Sequence, residues 1–174
     1  MDYLVLLRGV NVAGHNKLAM ADLREALTQA GHGNVRTYIQ SGNLALTNKR
    51  QTDTQLAANI NALLQNEFSV NSDVWVLKRE TLHKVIAQNP FQAATAQPKT
   101  LHVYFPKTEP KEEALAKLEA TATNNEKVQW VAPALYLHAP GGIGRSKIVS
   151  RMDSLVGTPT TGRNWQTIEK LAAL

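Results

Sequence analysis

The sequence predicts an α+β protein made of two tandem ferredoxin-like halves of βαββαβ type, followed by a C-terminal helix. Three observations carry that prediction. Apolar residues switch repeatedly between a period of two and a period of 3.6 along the chain. The order strand, helix, strand, strand, helix, strand reads off residues 3–77 and starts again at residue 101. A polar, alanine-rich, proline-ended stretch separates the two runs. The expected organisation is a first half over 1–90, a linker over 91–99 and a second half with the terminal helix over 100–174.

Residues 3–7 are apolar on both strand faces, so both faces are expected to be covered. A loop dense in cations, amides and glycines follows, and helical sequence resumes with Leu23, Ala26, Leu27 and Ala30 at helical spacing, ended by Gly31 and Gly33. Residues 35–39 alternate with period two, Gln40-Ser41-Gly42-Asn43 turns the chain, and Leu44 and Leu46 open a second alternation, which is a hairpin pattern. Asp53 reads as the N-cap of a helix carrying Leu56, Ile60, Leu63 and Leu64, and 74–77 as a strand. A short helix over 80–88 leads into the linker.

In the second half, 101–105 reads as a strand and Pro110 opens a helix with Leu115 and Leu118. Residues 127–131 and 134–138 flank Ala132-Pro133 as a hairpin, 139–144 is glycine-rich and 146–155 is helical. Gly157, Pro159 and Gly162 break the chain before a last helix over 164–173, so no clear fourth strand is legible here.

Composition narrows the function classes. The hydrophobic fraction of 43% supports a packed core. The net charge is +5 and the pI about 9.6, with 19 basic residues interspersed among 14 acidic ones, so the field favours anions without a polybasic tail. The chain has no cysteine, which excludes disulfides, thiol catalysis and thiolate metal sites and suits a reducing cytoplasm. No basic, apolar leader pattern and no apolar run of membrane-spanning length is present, so the expectation is a cytoplasmic protein with no membrane partner. The five histidines show no metal-ligand spacing, and neither a Walker A loop nor a GxGxxG fingerprint occurs, so no metal and no cofactor is expected.

The stretches LLRGVNVAGHNKLAM, NVRTYIQSGNLAL, GRSK and TGRNWQTIEKLAAL, taken in that order, resemble the bacterial family catalogued as domain of unknown function 1697. The resemblance runs the length of the chain and implies an α+β fold of two ferredoxin-like halves; it implies no particular activity. One departure is visible. Members of that family often follow the Ser-Lys pair with Thr-Asn, where this chain has Val149-Ser150 after Ile148.

The polar residues of these motifs form three candidate groups. They are Arg8, Asn11, Asn16 and Lys17; Tyr38, Gln40, Ser41 and Asn43; and Arg145, Ser146, Lys147, Arg163, Asn164 and Trp165. Guanidinium forks, amides and backbone donors at strand ends suit a phosphate or carboxylate. The first reading is therefore a small phosphorylated or nucleotide-like ligand bound at strand-end loops. The structural alternative is that Asn11, Asn43 and the glycines serve left-handed turns, that Arg163 and Asn164 cap the last helix and that Trp165 anchors it. No acid lies in these stretches and His15 is their only candidate acid or base, so no catalytic residue is assigned.

A second reading is single-stranded nucleic-acid binding. His102, Tyr104, Tyr136 and His138 alternate against apolar residues on two strands expected to be neighbours, so the four would share one open face for base stacking. The same face packed against the other half or a partner chain is the alternative. A third reading is a structural or oligomerising module whose polar motifs serve caps and turns.

Overall fold

The computed structural model describes residues 1–174. It is a mixed α+β fold with two four-stranded antiparallel sheets and seven α-helices. Two compact units divide the chain, Met1–Leu82 with Lys170–Leu174, and His83–Glu169.

The first unit contains β1 (Asp2–Leu7), α1 (Met20–Gln29), β2 (Gly33–Tyr38), β3 (Asn43–Thr47), α2 (Asp53–Phe68) and β4 (Val74–Lys78), with the sheet ordered β2-β3-β1-β4. β1 is the central strand, pairing antiparallel with both β3 and β4. Residues 3–7 are at most 2% exposed, as their unbroken apolar run requires. Tyr3, Val5 and Leu7 join Leu23 and Leu27 of α1 and Leu56, Ile60 and Leu64 of α2 in one core. α2 opens with a capping box, because the Thr52 hydroxyl accepts from Gln55 N while Gln55 Oε1 accepts from Thr52 N. The cap is therefore Thr52, and the expected cap Asp53 is the first helical residue.

The second unit holds a 3₁₀ turn (Gln92–Ala96), β5 (Leu101–Pro106), α4 (Glu112–Thr121), β6 (Lys127–Val131), β7 (Ala134–His138), α5 (Lys147–Ser150), α6 (Met152–Val156) and β8 (Thr160–Asn164), with the sheet ordered β6-β7-β5-β8. Its boundary with the first unit falls inside α3 (Arg79–Ala87), and α7 (Trp165–Ala172) crosses the second boundary. The expected linker, 91–99, lies within this unit and contains the 3₁₀ turn.

Three expectations need correction. The fourth strand, not clear in the sequence, is present: Thr160–Asn164 pairs antiparallel with β5 from Pro106 to His102. Gly162 is not a breaker there. It faces Tyr104 across the pair, and a Cβ at Gly162 would run into the Tyr104 ring. The helix expected over 146–155 is two short helices, α5 and α6, parted at Arg151, whose φ of −121° leaves the helical region.

The aromatic face does not exist as expected. Register places Val103 opposite Tyr136 and Leu101 opposite His138, whereas His102 meets Leu137 and Tyr104 meets Leu135. Directly paired residues share a face, so Tyr136 and His138 lie on one side of the sheet and His102 and Tyr104 on the other. Tyr104 packs with Leu118, Leu135, Leu137, Ile148 and Met152 in the core under the helices. Tyr136 is fully buried, and its hydroxyl donates to Val85 O of α3 at 2.7 Å. Burial pushes both phenols up to about 12, with Glu126 adding to the shift at Tyr104. Neither ring is open to a base.

Gly42 is a second position where only glycine fits. Its φ is +73°, and a Cβ there would lie 2.6 Å from Leu7 Cβ and 2.7 Å from Val10 Cγ2. Gly42→Ala is expected to cost about 2–4 kcal/mol, read from urea unfolding at unchanged m-value; a loss below 0.5 kcal/mol would contradict the tight approach.

Burial lowers the pKa of both His32 and His102 from 6.5, with a backbone hydrogen bond at Thr100 partly offsetting the effect at His102. The unfolded chain then takes up protons first, so stability is full above pH 6.5 and falls as pH drops from there through the folded-state values. His102→Phe is expected to shallow that acid slope in unfolding free energies measured on either side of pH 6.5; an unchanged slope would show that His102 does not contribute.

Candidate functional site

The first two motif groups meet within the first unit, at the end of its sheet where β1 stops, β2 turns into β3 and β4 begins. Asn11 makes the join. Its Oδ1 accepts from Leu18 N at 2.8 Å, and its Nδ2 donates to Leu18 O at 2.9 Å and to Gln40 O at 2.8 Å. Leu7 N donates to Gly42 O at 2.8 Å beside it. The loop between β1 and α1 is thus pinned onto the β2–β3 turn by one side chain and one backbone bond.

Asn16 holds the other flank. Its Nδ2 donates to Gly9 O at 3.0 Å and to Asn71 O at 3.1 Å, which ties the loop to the segment preceding β4. Ser72 completes that side: its Oγ donates to Arg8 O at 2.8 Å and accepts from Arg8 N at 3.1 Å. Sequence reading missed Asn71, Ser72 and Asp73. The available signal was a run of short polar residues, Asn71-Ser72-Asp73, just before a strand. Asn43 is fully buried and donates to Tyr38 O and Ser41 Oγ, closing the turn from inside.

The backbone of this loop is unusual. Gly9, Asn11, Ala13, Gly14 and Asn16 all have positive φ, and Ala13, at +48°, is a residue that gains nothing from that conformation. Asn11 N donates to Asn16 O and His15 N to Val12 O, while the exposed N–H groups of Ala13 and Gly14 have no acceptor within the chain. His15 and Lys17 are exposed at the loop's outer side and Arg8 is half-buried at its root. α1 starts directly after the loop at Met20, and its N-cap, Ala19, supplies no side-chain acceptor to the first turn. Asp22 is the acid of that turn.

The third group lies in the second unit and is committed elsewhere. Ser146 caps α5, its Oγ accepting from Val149 N at 3.3 Å, with Arg145 and Lys147 exposed on either side. Asn164 Oδ1 accepts from Thr167 N at 2.9 Å and so caps α7. Trp165 is buried, with Nε1 donating to Glu169 Oε1. Arg163 Nη1 donates to Thr161 Oγ1 at 2.9 Å and Gly162 O at 2.8 Å, and burial lowers its pKa to about 10. His138 is half-buried, its ring 6.0 Å from that of Phe91. In its own sheet this group sits where β5 starts and β8 ends; the first two groups sit where β1 ends.

No group of three or more His, Asp or Glu is placed to hold a metal ion, and no helix is long and apolar enough to cross a membrane. The larger hollows of the first unit open at the other end of its sheet, around Met1 and Arg79 (510 Å³) and around His32 and Arg50 (550 Å³).

Comparison with known proteins adds a family. A conserved bacterial protein of Streptococcus pneumoniae, SP0830, is similar in structure, with a TM-score of 0.75 at 22% identity over 99% of this chain and 97% of that one. At that identity the likeness speaks for the fold alone. No curated protein matches the chain. Residues 1–136 match the protein family of unknown function DUF1697, a span that contains the β1–α1 loop and the β2–β3 turn, and the chain belongs to that family.

Proposed function

We propose that the β1–α1 loop, backed by the β2–β3 turn, binds a small phosphorylated or nucleotide-like anion. The observation that supports this is the division of labour among the loop's polar residues. Asn11, Asn16 and Ser72 spend their hydrogen bonds on the backbone, holding a strained path. Apart from the apolar Val12, what the path leaves facing solvent is cationic or donating: Lys17, His15, the amides of Ala13 and Gly14, and the uncapped start of α1. Arg8 stands at the root as the candidate fork for a phosphoryl or carboxylate oxygen. Tyr38, Gln40 and Ser41 border the loop on the turn side. The proposal is confined to the first unit; Arg145, Lys147, Arg163 and Asn164 are left outside it. We also infer that each unit is a ferredoxin-like arrangement, since each has the strand and helix order βαββαβ, two short helices standing for the second helix in the second unit, with the central strands first and third. A cysteine-free chain with such a site fits the cytoplasm.

Binding to the folded state alone raises stability by RT ln(1 + [L]/Kd), about 2.7 kcal/mol at a hundredfold excess over Kd. Thermal unfolding against pyrophosphate, nucleoside phosphates and sugar phosphates is expected to yield at least one saturable stabilisation. Lys17→Ala should weaken that ligand at least roughly tenfold, the low end of one charge-assisted hydrogen bond, without changing the ligand-free midpoint. Short single-stranded RNA is expected to give no shift. A screen without a response, or a response indifferent to both Lys17→Ala and Arg8→Ala, would overturn the reading and favour a structural module.

A further inference from the structure

At the opposite end of the first sheet, the α1–β2 turn and the β3–α2 segment enclose a hollow of 550 Å³ lined by Gly31, His32, Asn48, Lys49, Arg50 and Gln51 among others. No acidic residue lines it. Its wall is built, because every hydrogen-bonding valence of the Asn48 side chain is used. Oδ1 accepts from Arg50 N at 2.8 Å and from Gln51 N at 3.1 Å, which fixes which end of the amide is oxygen. Nδ2 therefore donates, to Gln51 Oε1 at 2.9 Å and to His32 Nδ1 at 3.1 Å. An imidazole nitrogen that accepts leaves the ring proton on the other nitrogen, so His32 is held as the Nε2–H tautomer. The main chain of Asn48 is anchored as well, by paired bonds with Met1 N and Met1 O at 3.0 Å.

This arrangement carries two cations, Lys49 and Arg50, on a segment whose backbone is locked, beside a buried imidazole of fixed tautomer. We propose that the hollow is a second anion site, distinct from the β1–α1 loop, and that it takes the phosphoryl group of a small organic phosphate. Arg50 supplies the bidentate fork and Lys49 the second positive charge. The volume exceeds what one phosphate ion fills and lies within the range of small-molecule sites, which is why an ester is favoured over the bare ion. Protonating His32 would set an N–H against the Asn48 amide donor, so the site is intact only while the ring is neutral.

The test is an amide-resolved NMR titration of the full chain, above pH 6.5, with ribose 5-phosphate and with inorganic phosphate as probes. Saturable shifts at residues 30–33 and 47–51, tighter for the ester, are expected. Lys49→Ala/Arg50→Ala should weaken them at least tenfold and Lys17→Ala should leave them unchanged. Either variant result reversed, shifts confined to 8–17, or no saturable shift at 30–33 and 47–51 would overturn the proposal. Because the double variant removes only exposed side chains, its fold is checked by an unchanged unfolding midpoint.

Discussion

The carboxamide of Asn11 is the interaction on which the geometry of the β1–α1 loop depends. One oxygen and one nitrogen hold both backbone groups of Leu18 and reach across to Gln40 O. A neutral donor–acceptor pair in a short side chain is what this position needs. Aspartate would keep the acceptor but lose the two donated bonds, and glutamine would add a methylene to a closed ring of contacts. Each bond is worth about 1 kcal/mol net, yet its removal leaves a half-buried backbone carbonyl unpaired, and that desolvation is the larger penalty.

With Asn11 in place the remaining constraints follow in order. The loop can rest against the turn only if the turn comes close, and Leu7 N bonds to Gly42 O because Gly42 has no side chain to fend off Leu7 and Val10. β1 is central, so its register with β3 and β4 sets where both flanking segments arrive. The β2–β3 turn and the Asn71–Asp73 segment are delivered to the same end, where Asn11 binds the turn and Asn16 and Ser72 bind the segment to the loop. The second sheet uses the same device elsewhere: Gly162 opens the room that the Tyr104 ring occupies across β5 and β8.

How much of this was legible depends on which length scale decides each feature. Periodicity is local, and strands such as 3–7 and helices such as that carrying Leu56, Ile60 and Leu64 showed it plainly. β8 did not. Thr160–Asn164 has no apolar residue, and it is a strand because β5 pairs with it. The alternation within β5 and within β7 was read correctly, but the parity between them was not. A one-residue change of register exchanges the faces of a whole strand, and Ala132-Pro133 alone does not state the register. Thus Tyr104 and Tyr136, expected on one face, lie on opposite sides. At the candidate site the sequence singled out the polar β1–α1 loop and assigned its asparagines to ligand or turn without choosing. The structure gives Asn11, Asn16 and Asn43 to the backbone, a choice that rests on partners such as Gln40 and Asn71 far along the chain.

That choice also bears on what kind of chemistry the loop suits. Asn11, with its oxygen and nitrogen both held by backbone partners, cannot also orient a substrate, and the exposed polar remainder of the loop is one lysine, one histidine and free amides. Such a set has abundant donors and few acceptors, so it complements a ligand whose surface is all acceptor, as a phosphoryl group is. A proton-transfer site calls for the reverse balance, with a carboxylate placed to steer the imidazole. The acids bordering the loop are Asp73, exposed, whose backbone carbonyl accepts from Arg8 N at 3.1 Å, and Asp22, which lies in the first turn of α1 and so opposes part of the helix's positive end. The strained path through Ala13 then has a physical use. It keeps the Ala13 and Gly14 amides out of local hydrogen bonds, and donors held unpaired before a ligand arrives need no reorganisation when it does.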